Sequence, residues 1–346
     1  MGGKCSLRIP PEVKDAASSW DIGRILTCRR ARRGVVNRNF ILRTPQGKFV
    51  LRQVSQTHHK TLHDLEFELE YLDYLKRASF PYSIPSAIAT TKGSLFETVH
   101  GHYYWLYKFL EGVVVGKLDE PHLAQLAEMM AAYHLLIERS NLNNGKPASD
   151  SYDGAATLKE IEDYRAQILQ ESKVNHQERI FLEESARLVP ILRGFGDMPH
   201  QDVRLYPIHR DLISENLIWK QGKLAGVIDF EHVSESNHPI IKDVAVTMQY
   251  CCRDSKVMHQ VDIDSARQFL LSYTESHPLS DGEIALIPDL MTAGFLEDFV
   301  YAFWMVKNDP DRAKRSEEDG YGPPLFSKAA QWSHRNRKRI SQALLK

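Results

Sequence analysis

Cysteine is scarce. Cys5, Cys28, Cys251 and Cys252 are the only four in 346 residues, and no two are spaced as Cys-x-x-Cys. Four so placed make neither a disulfide framework nor a thiolate metal site, and a reducing, cytoplasmic setting fits them best. Long apolar runs are lacking as well. No stretch approaches the roughly 20 apolar residues that cross a bilayer, and the first residues hold no apolar run of the secretory kind. There is no excess of one charge either: 44 Lys and Arg stand against 45 Asp and Glu, a formal net charge of −1, whereas a dedicated nucleic-acid binder carries a strongly basic domain. Proline and glycine, at 16 and 19, are too few for a collagen-like or low-complexity chain, and 42% apolar residues are enough for a real core. The length allows two domains or one bilobal unit. The opening Met-Gly-Gly-Lys-Cys-Ser fits an N-myristoylation pattern at Gly2, with Cys5 as a palmitoyl position. A single acyl chain anchors only marginally, so no stable membrane association is expected.

The balanced total hides an asymmetry. Residues 1–60 hold 13 basic and 3 acidic side chains, a balance of +10, while residues 232–310 hold 5 and 12, a balance of −7. A basic front suits an anion, and an acidic later segment suits a cationic or neutral partner. The Arg29-Arg30-Ala-Arg32-Arg33 cluster has no interleaved aromatics, which leaves base stacking without support.

Periodicity divides the chain near residue 110. Before it, a short helix is expected over Glu12–Trp20 and hairpins over 39–54 and 95–110, with Leu62, Leu65, Leu69, Leu72 and Leu75 marking an amphipathic helix over 61–77. After it the pattern is mainly helical, over 123–137, 155–172, 177–193, 264–276, 283–307 and 325–345. One hairpin-like insert, from Leu217 to Phe230, interrupts it. The expectation is an α+β fold: a small antiparallel-sheet lobe over 1–110 followed by a larger helical lobe over 111–346.

The segment Ile208-His-Arg-Asp-Leu-Ile-Ser-Glu-Asn216 matches His-Arg-Asp-Leu-x-x-x-Asn, the catalytic loop of kinases. Asp211 stands in the position of the base, Asn216 in that of a metal ligand, and His209 orients the loop. Thirteen residues past Asn216, the apolar run Gly226-Val-Ile-Asp-Phe230 ends where kinases place a second metal ligand, here Asp229. Mg²⁺ takes hard oxygen donors, commonly one or two side chains completed by phosphate oxygens and water, so Asn216 and Asp229 would suffice.

With these residues in place, the chain resembles the aminoglycoside phosphotransferase and choline kinase superfamily, including its homoserine-kinase-like and hydroxylysine-kinase-like members, over nearly its whole length. Gly34-Val-Val-Asn-Arg-Asn-Phe40 is similar to that family's phosphate loop, Leu65-Glu-Phe-Glu68 to its helix-C pattern, and Leu126-Ala-Glu-Met-Met-Ala-Ala-Tyr-His134 to its apolar helix closed by His. Asp243, in Pro239-Ile-Ile-Lys-Asp-Val-Ala245, resembles the Asp that ties down the helical lobe. Protein kinases share His-Arg-Asp, but this chain has no Gly-x-Gly-x-x-Gly, carries Asp-Phe-Glu231 in place of Asp-Phe-Gly, has no Ala-Pro-Glu, and leaves no room for an activation segment before Asp243.

The resemblance implies a bilobal protein-kinase-like fold and phosphotransfer from ATP, with GTP as the alternative nucleotide, to a small hydroxyl-bearing acceptor with Mg²⁺. Arg52 takes the place of the usual phosphate lysine, with Glu68 as its orienting partner, and Asn37, Arg38 and Asn39 complete the phosphate contacts. Backbone groups around Lys108, Phe109 and Leu110 would hold adenine. The acceptor side is assigned to Asp211, Glu231, Glu235, Glu297 and Asp298. The competing class is a non-catalytic nucleotide-binding module, a pseudokinase, suggested by Arg52 alone.

Overall fold

The computed structural model describes all residues except 1–8, 32–36, 56–60, 147–153, 196–204, 310, 312–313, 315–317 and 319. Gly2, Cys5 and the Gly34–Val36 part of the phosphate-loop pattern therefore lie outside the described residues. The chain forms two compact units, one of Met1–Val114 with Asn216–Glu235, the other of Val115–Glu215 with Ser236–Lys346.

The first unit is built on an antiparallel five-stranded sheet. Its strands are β1 (Thr27–Arg30), β2 (Arg38–Thr44), β3 (Gly47–Gln53), β4 (Glu97–Val99) and β5 (His102–Lys108), in the order β1-β2-β3-β5-β4. Period-two alternation sorts the side chains of β2, β3 and β5 onto two faces. Phe40, Leu42, Phe49, Leu51, Tyr104 and Leu106 form one buried face with Val13, Ala16 and Ala17 of helix α1 (Pro11–Ala17) and with Trp20. Arg52 points to the other face, paired across the ladder with Trp105 and Asn39. Helix α2 (Leu62–Arg77) starts with a capping box between Thr61 and Asp64 and buries Leu65, Glu68, Leu69, Leu72 and Leu75.

The insert folds as a two-stranded hairpin of β6 (Leu217–Lys220) and β7 (Lys223–Val227). Contacts group it with the first unit, although the sequence pattern puts a single boundary near 110. The reason lies in the backbone. The Val113 N–H donates to Trp219 O at 2.9 Å and the Trp219 N–H returns to Val113 O at 2.8 Å; Ser83 bonds likewise to Ala225 and Val227, both at 2.9 Å. Gly226 permits that approach, since a Cβ there would lie 2.6 Å from Ser83 O.

The second unit contains helices α3 (Glu120–Glu138), α4 (Ala155–Gln170), α5 (His176–Arg193), α6 (Ile241–Cys251), α7 (Ile263–Thr274), α8 (Asp281–Asn308) and α9 (Pro323–Leu344). Its core includes Phe181 stacked between Phe299 and Phe303, with centroids 5.1 and 4.0 Å away. Two elements were not anticipated from the sequence. In β1 the two arginines read as a charge cluster, and in α6 the polar Lys242, Asp243, Thr247 and Gln249 are buried along with the apolar residues.

Candidate active site

In the first unit the site grows from Arg52 on β3. Its side chain is 3% exposed. Nη2 donates to Asp229 Oδ1 at 2.8 Å and to Glu231 Oε2 at 3.0 Å, while Nη1 lies 3.7 Å from Glu68 Oε1. Burial opposes the charge on Arg52, but Asp229, Glu68 and Glu231 outweigh it and hold the guanidinium firmly protonated. The Trp105 ring backs the group at 5.9 Å. One guanidinium among three carboxylates is a formal charge of −2, which favours a divalent cation beside it.

Glu231, expected on the acceptor side, is buried against Arg52 and also accepts a hydrogen bond from Asn37 Nδ2. Asn37 Oδ1 in turn accepts the Ser55 N–H at 2.8 Å. Thus Arg52, Glu68, Asn37, Asp229 and Glu231, far apart in sequence, form one cluster. Arg38 pairs with Gln53 in the ladder, and Asn39, beside Arg52, has a buried Oδ1 that no donor reaches. At the end of β5, Phe109 commits its N–H to Lys48 O at 2.9 Å, and Lys48 Nζ sits 3.3 Å from the Phe109 ring centroid. Lys108 pairs with Phe49, and Leu110 packs near Gly226. Glu235 bonds to His232 Nδ1 at 2.9 Å.

The hairpin brings the two metal-ligand candidates together. Leu217 pairs with Val227, so Asn216 and Asp229 flank the open end, and the Ile228 N–H donates to Asn216 O at 3.0 Å. Asp229 has φ +70°, a left-handed conformation that costs a non-glycine residue about 1–3 kcal/mol and is found where function dictates geometry. Among the described residues no group of three or more His, Cys, Asp or Glu is placed to hold a metal. An ion here would rely on the amide and carboxylate oxygens of Asn216 and Asp229 and complete its shell with phosphate oxygens and water. That donor set fits Mg²⁺.

The second unit holds the loop from His209 to Leu212 by hydrogen bonds from uncharged donors to one buried carboxylate. Asp243, fully buried on α6, accepts the His209 N–H at 3.1 Å, the Arg210 N–H at 2.6 Å and His134 Nε2 at 3.2 Å. Burial lowers the pKa of His134 despite Asp243, so the ring is neutral. One tautomer satisfies both its neighbours: Nε2–H donates to Asp243, and Nδ1 accepts the Tyr273 hydroxyl at 2.8 Å. Burial raises the Tyr273 pKa and keeps that hydroxyl protonated. Further along, the Asp211 N–H donates to His209 Nδ1 at 3.3 Å, and Thr247 Oγ1 donates to Leu212 O at 2.9 Å. Every residue from His209 to Leu212 is thereby tied, and Arg210 takes φ +62° within the turn.

Of the acceptor-side carboxylates in this unit, Glu297 is engaged by Lys242 Nζ at 3.1 Å. Asp298 behaves differently. Burial pushes its carboxyl up to about 7, against the Tyr250 hydrogen bond and the charge of Arg253, with Glu297 and Asp211 adding to the rise. Tyr273, Tyr250 and Arg253 were not singled out by sequence reasoning, because no motif or periodicity marks them.

A model of a phosphotransferase enzyme family matches residues 27–270. The homoserine kinase of Afipia carboxidovorans is 28% identical over 277 residues, 80% of this chain and 78% of that protein. The homoserine kinase of Rhodospirillum rubrum is 27% identical over 87% of each. Among solved structures, a microcompartment-associated aminopropanol kinase superposes with a TM-score of 0.64 at 15% identity, covering 95% of this chain and 97% of its own. A spectinomycin phosphotransferase bound to ADP and spectinomycin gives 0.64 at 13% identity, covering 90% and 94%. The fold is protein-kinase-like, with an antiparallel-sheet lobe and a larger helical part.

Proposed function

The chain belongs to the phosphotransferase enzyme family and is a kinase for the hydroxyl group of a small molecule; from that premise we propose that it transfers the γ-phosphoryl group of ATP to a small alcohol that also carries an amine. The observation that carries this reading is the tethered loop, which fixes Asp211 through consecutive backbone bonds in the manner a general base requires. Asp211 takes the proton of the acceptor hydroxyl as its oxygen forms a bond to γ-phosphorus and the bond to the bridging oxygen breaks, releasing the nucleoside diphosphate. Asn216 and Asp229 would hold Mg²⁺, which would supply charge neutralisation on the phosphates. Arg52 grips phosphate oxygens while Glu68 and Glu231 keep its plane fixed, with Asn37, Arg38 and Asn39 nearby and Lys108 to Leu110 toward the base.

Relatives named for homoserine and neighbours named for aminopropanol and spectinomycin share an acceptor chemistry of hydroxyl plus amine, which supports the amine-bearing class. The non-catalytic alternative drew on Arg52 alone, and Arg52 sits among carboxylates as an orienting cation does, while Asp211, Asn216 and Asp229 are all retained. The test is nucleoside diphosphate release from ATP or GTP with Mg²⁺ against a panel of amino alcohols, hydroxy amino acids, sugars and amino sugars. Acceptor-dependent release with ATP is expected. Release that no alcohol stimulates would overturn the reading.

A further inference from the structure

Several helices of the second unit pair exposed basic side chains with carboxylates: Lys159 with Asp163 on α4, Arg187 with Glu184 on α5, Arg193 of α5 with Glu162 of α4, and Lys307 of α8 with Glu171. Helix α9 does not. From Pro323 to Lys346 the chain holds six Lys or Arg and no Asp or Glu. Lys328, Arg335, Arg339 and, just past the helix, Lys346 are exposed, and among the described residues none of the four forms an ion pair. At roughly 100° per residue, the spacings i, i+7, i+11 and i+18 set them on one narrow stripe about 27 Å long. Leu345 keeps a right-handed helical backbone, so Lys346 continues the stripe. The opposite side of α9, with Phe326, Ala330, Ser333, Ile340 and Leu344, is buried.

Arg335 and Arg339 stand four residues apart, where like charges repel. The helix dipole does not account for them, since it favours cations in the last turn and α9 has none there. Gln331 Oε1 accepts from Arg335 Nη2 at 3.1 Å, which orients the guanidinium without neutralising it. At its far end the stripe meets an apolar cavity of about 310 Å³, where Leu270, Leu271, Pro278, Leu344 and Leu345 stand beside Lys346. Leu271 and Leu345 are 42% and 44% exposed. Trp332, half-buried between Lys328 and Arg335, adds apolar surface near the other end.

Charge and cavity together select the partner. A nucleic acid would use the cations but brings no side chain for the cavity. An anionic bilayer would neutralise them too, yet interfacial binding uses a whole apolar helix face, and that of α9 is turned into the core. On the α8 side the stripe is bordered by carboxylates, Asp281 at the cavity and Asp289 near Lys338, which repel a broad polyanion and leave room for a narrow one. We propose that this face of α9 docks an acidic amphipathic helix of another protein, its carboxylates running along the cations and an apolar residue at its end entering the cavity. Guanidinium groups take carboxylates in two-pronged fashion, and a docked helix presents anchors at i, i+4 and i+7, the spacing the stripe offers. None of these residues is assigned to phosphotransfer, so the inference is independent of that reading.

The test uses a helical alanine-based peptide of about 20 residues, long enough to follow the stripe, with glutamates along one face and a tryptophan at its end. Fluorescence anisotropy with the full chain should show it binding at least about tenfold more tightly than the same peptide with glutamine for glutamate or with alanine for tryptophan, and the advantage over the glutamine peptide should shrink as salt rises. Arg335→Glu combined with Arg339→Glu should weaken binding at least about tenfold, while ATP-dependent transfer and the melting temperature stay as in the parent. Glutamate and glutamine peptides that bind alike overturn the surface, and that comparison needs no variant to fold. Binding untouched by the double substitution, in a protein that melts like the parent, overturns it too, as does a tryptophan that adds nothing. Tighter binding of a thymidine oligonucleotide or of phosphatidylserine vesicles than of the glutamate peptide overturns the proposal in favour of a nucleic acid or a membrane surface.

Discussion

The two units hold their functional groups by opposite means. In the first, Arg52 is fixed by charge, with Asp229, Glu231 and Glu68 around a side chain that is 3% exposed. In the second, the loop bearing Asp211 is fixed by neutral donors: two backbone N–H groups and an uncharged imidazole converge on Asp243. The contrast follows from what each must do. A cluster of formal charge −2 can rearrange when a cation and phosphates arrive, because its charges find new partners. A loop that must present one carboxylate at a constant angle gains from hydrogen bonds that bulk ions do not screen.

The largest expected effect is on the neutral side. Asp211→Asn should lower turnover about 10²- to 10⁴-fold with little change in melting temperature. Near-normal turnover would remove Asp211 from the chemistry and leave the tethered loop without a purpose.

On the charged side the fold itself should suffer. Arg52→Ala strands the buried carboxylates of Glu68 and Glu231 beside the half-buried Asp229 and should cost about 3–5 kcal/mol in denaturant unfolding, together with weaker nucleotide binding. Arg52→Lys should recover part of both, since it restores the charge but not the two-pronged geometry. An alanine variant as stable as the parent would mean the cluster carries no such strain.

Asp298 is a pH-sensitive group of the second unit. Its folded pKa, raised by burial to about 7 from 3.8, means the folded protein keeps a proton that the unfolded chain has lost. Stability from this group is complete below about pH 4 and declines as pH rises toward 7, by up to about 1.4 kcal/mol per pH unit. Asp298→Asn should flatten that slope, as unfolding at several pH values would show; an unchanged slope places the titration elsewhere.

The smallest effect sharpens the comparison most. Tyr273→Phe removes the donor that selects the His134 tautomer and should cost about 1 kcal/mol of stability. Because it acts on the loop through His134 and Asp243, kcat should fall a few-fold while the KM for nucleotide stays put. A change in nucleotide KM alone would show that the network does not serve the loop.

Much of the fold was legible because its signals are local. The leucines from Leu62 to Leu75 mark α2 by spacing, and the Thr44-Pro-Gln-Gly47 turn joins two strands of alternating pattern. Helix α6 was not legible because Lys242, Asp243, Thr247 and Gln249, polar residues that sequence alone assigns to a solvent face, are buried beside Ile241, Val244, Ala245 and Met248. Asp211, Asn216 and Asp229 could be found because their spacing within one loop and hairpin is itself the signal. The pairing of Arg52 with Glu231 spans 179 residues, and no spacing rule reaches that far. Tyr273 lies beyond the last residue the family model matches, on a helix whose pattern gives it no more weight than any buried aromatic.

The central claim is that this chain moves a phosphoryl group onto a small alcohol with Asp211 as base. Incubation with ATP labelled at the γ-phosphorus, Mg²⁺ and L-homoserine, followed by separation of the products, tests it most directly. The account predicts label in a phosphate ester of the alcohol for the parent protein and only traces for Asp211→Asn. Label recovered solely as inorganic phosphate or unreacted ATP, with every alcohol of the panel substituted in turn, would contradict it.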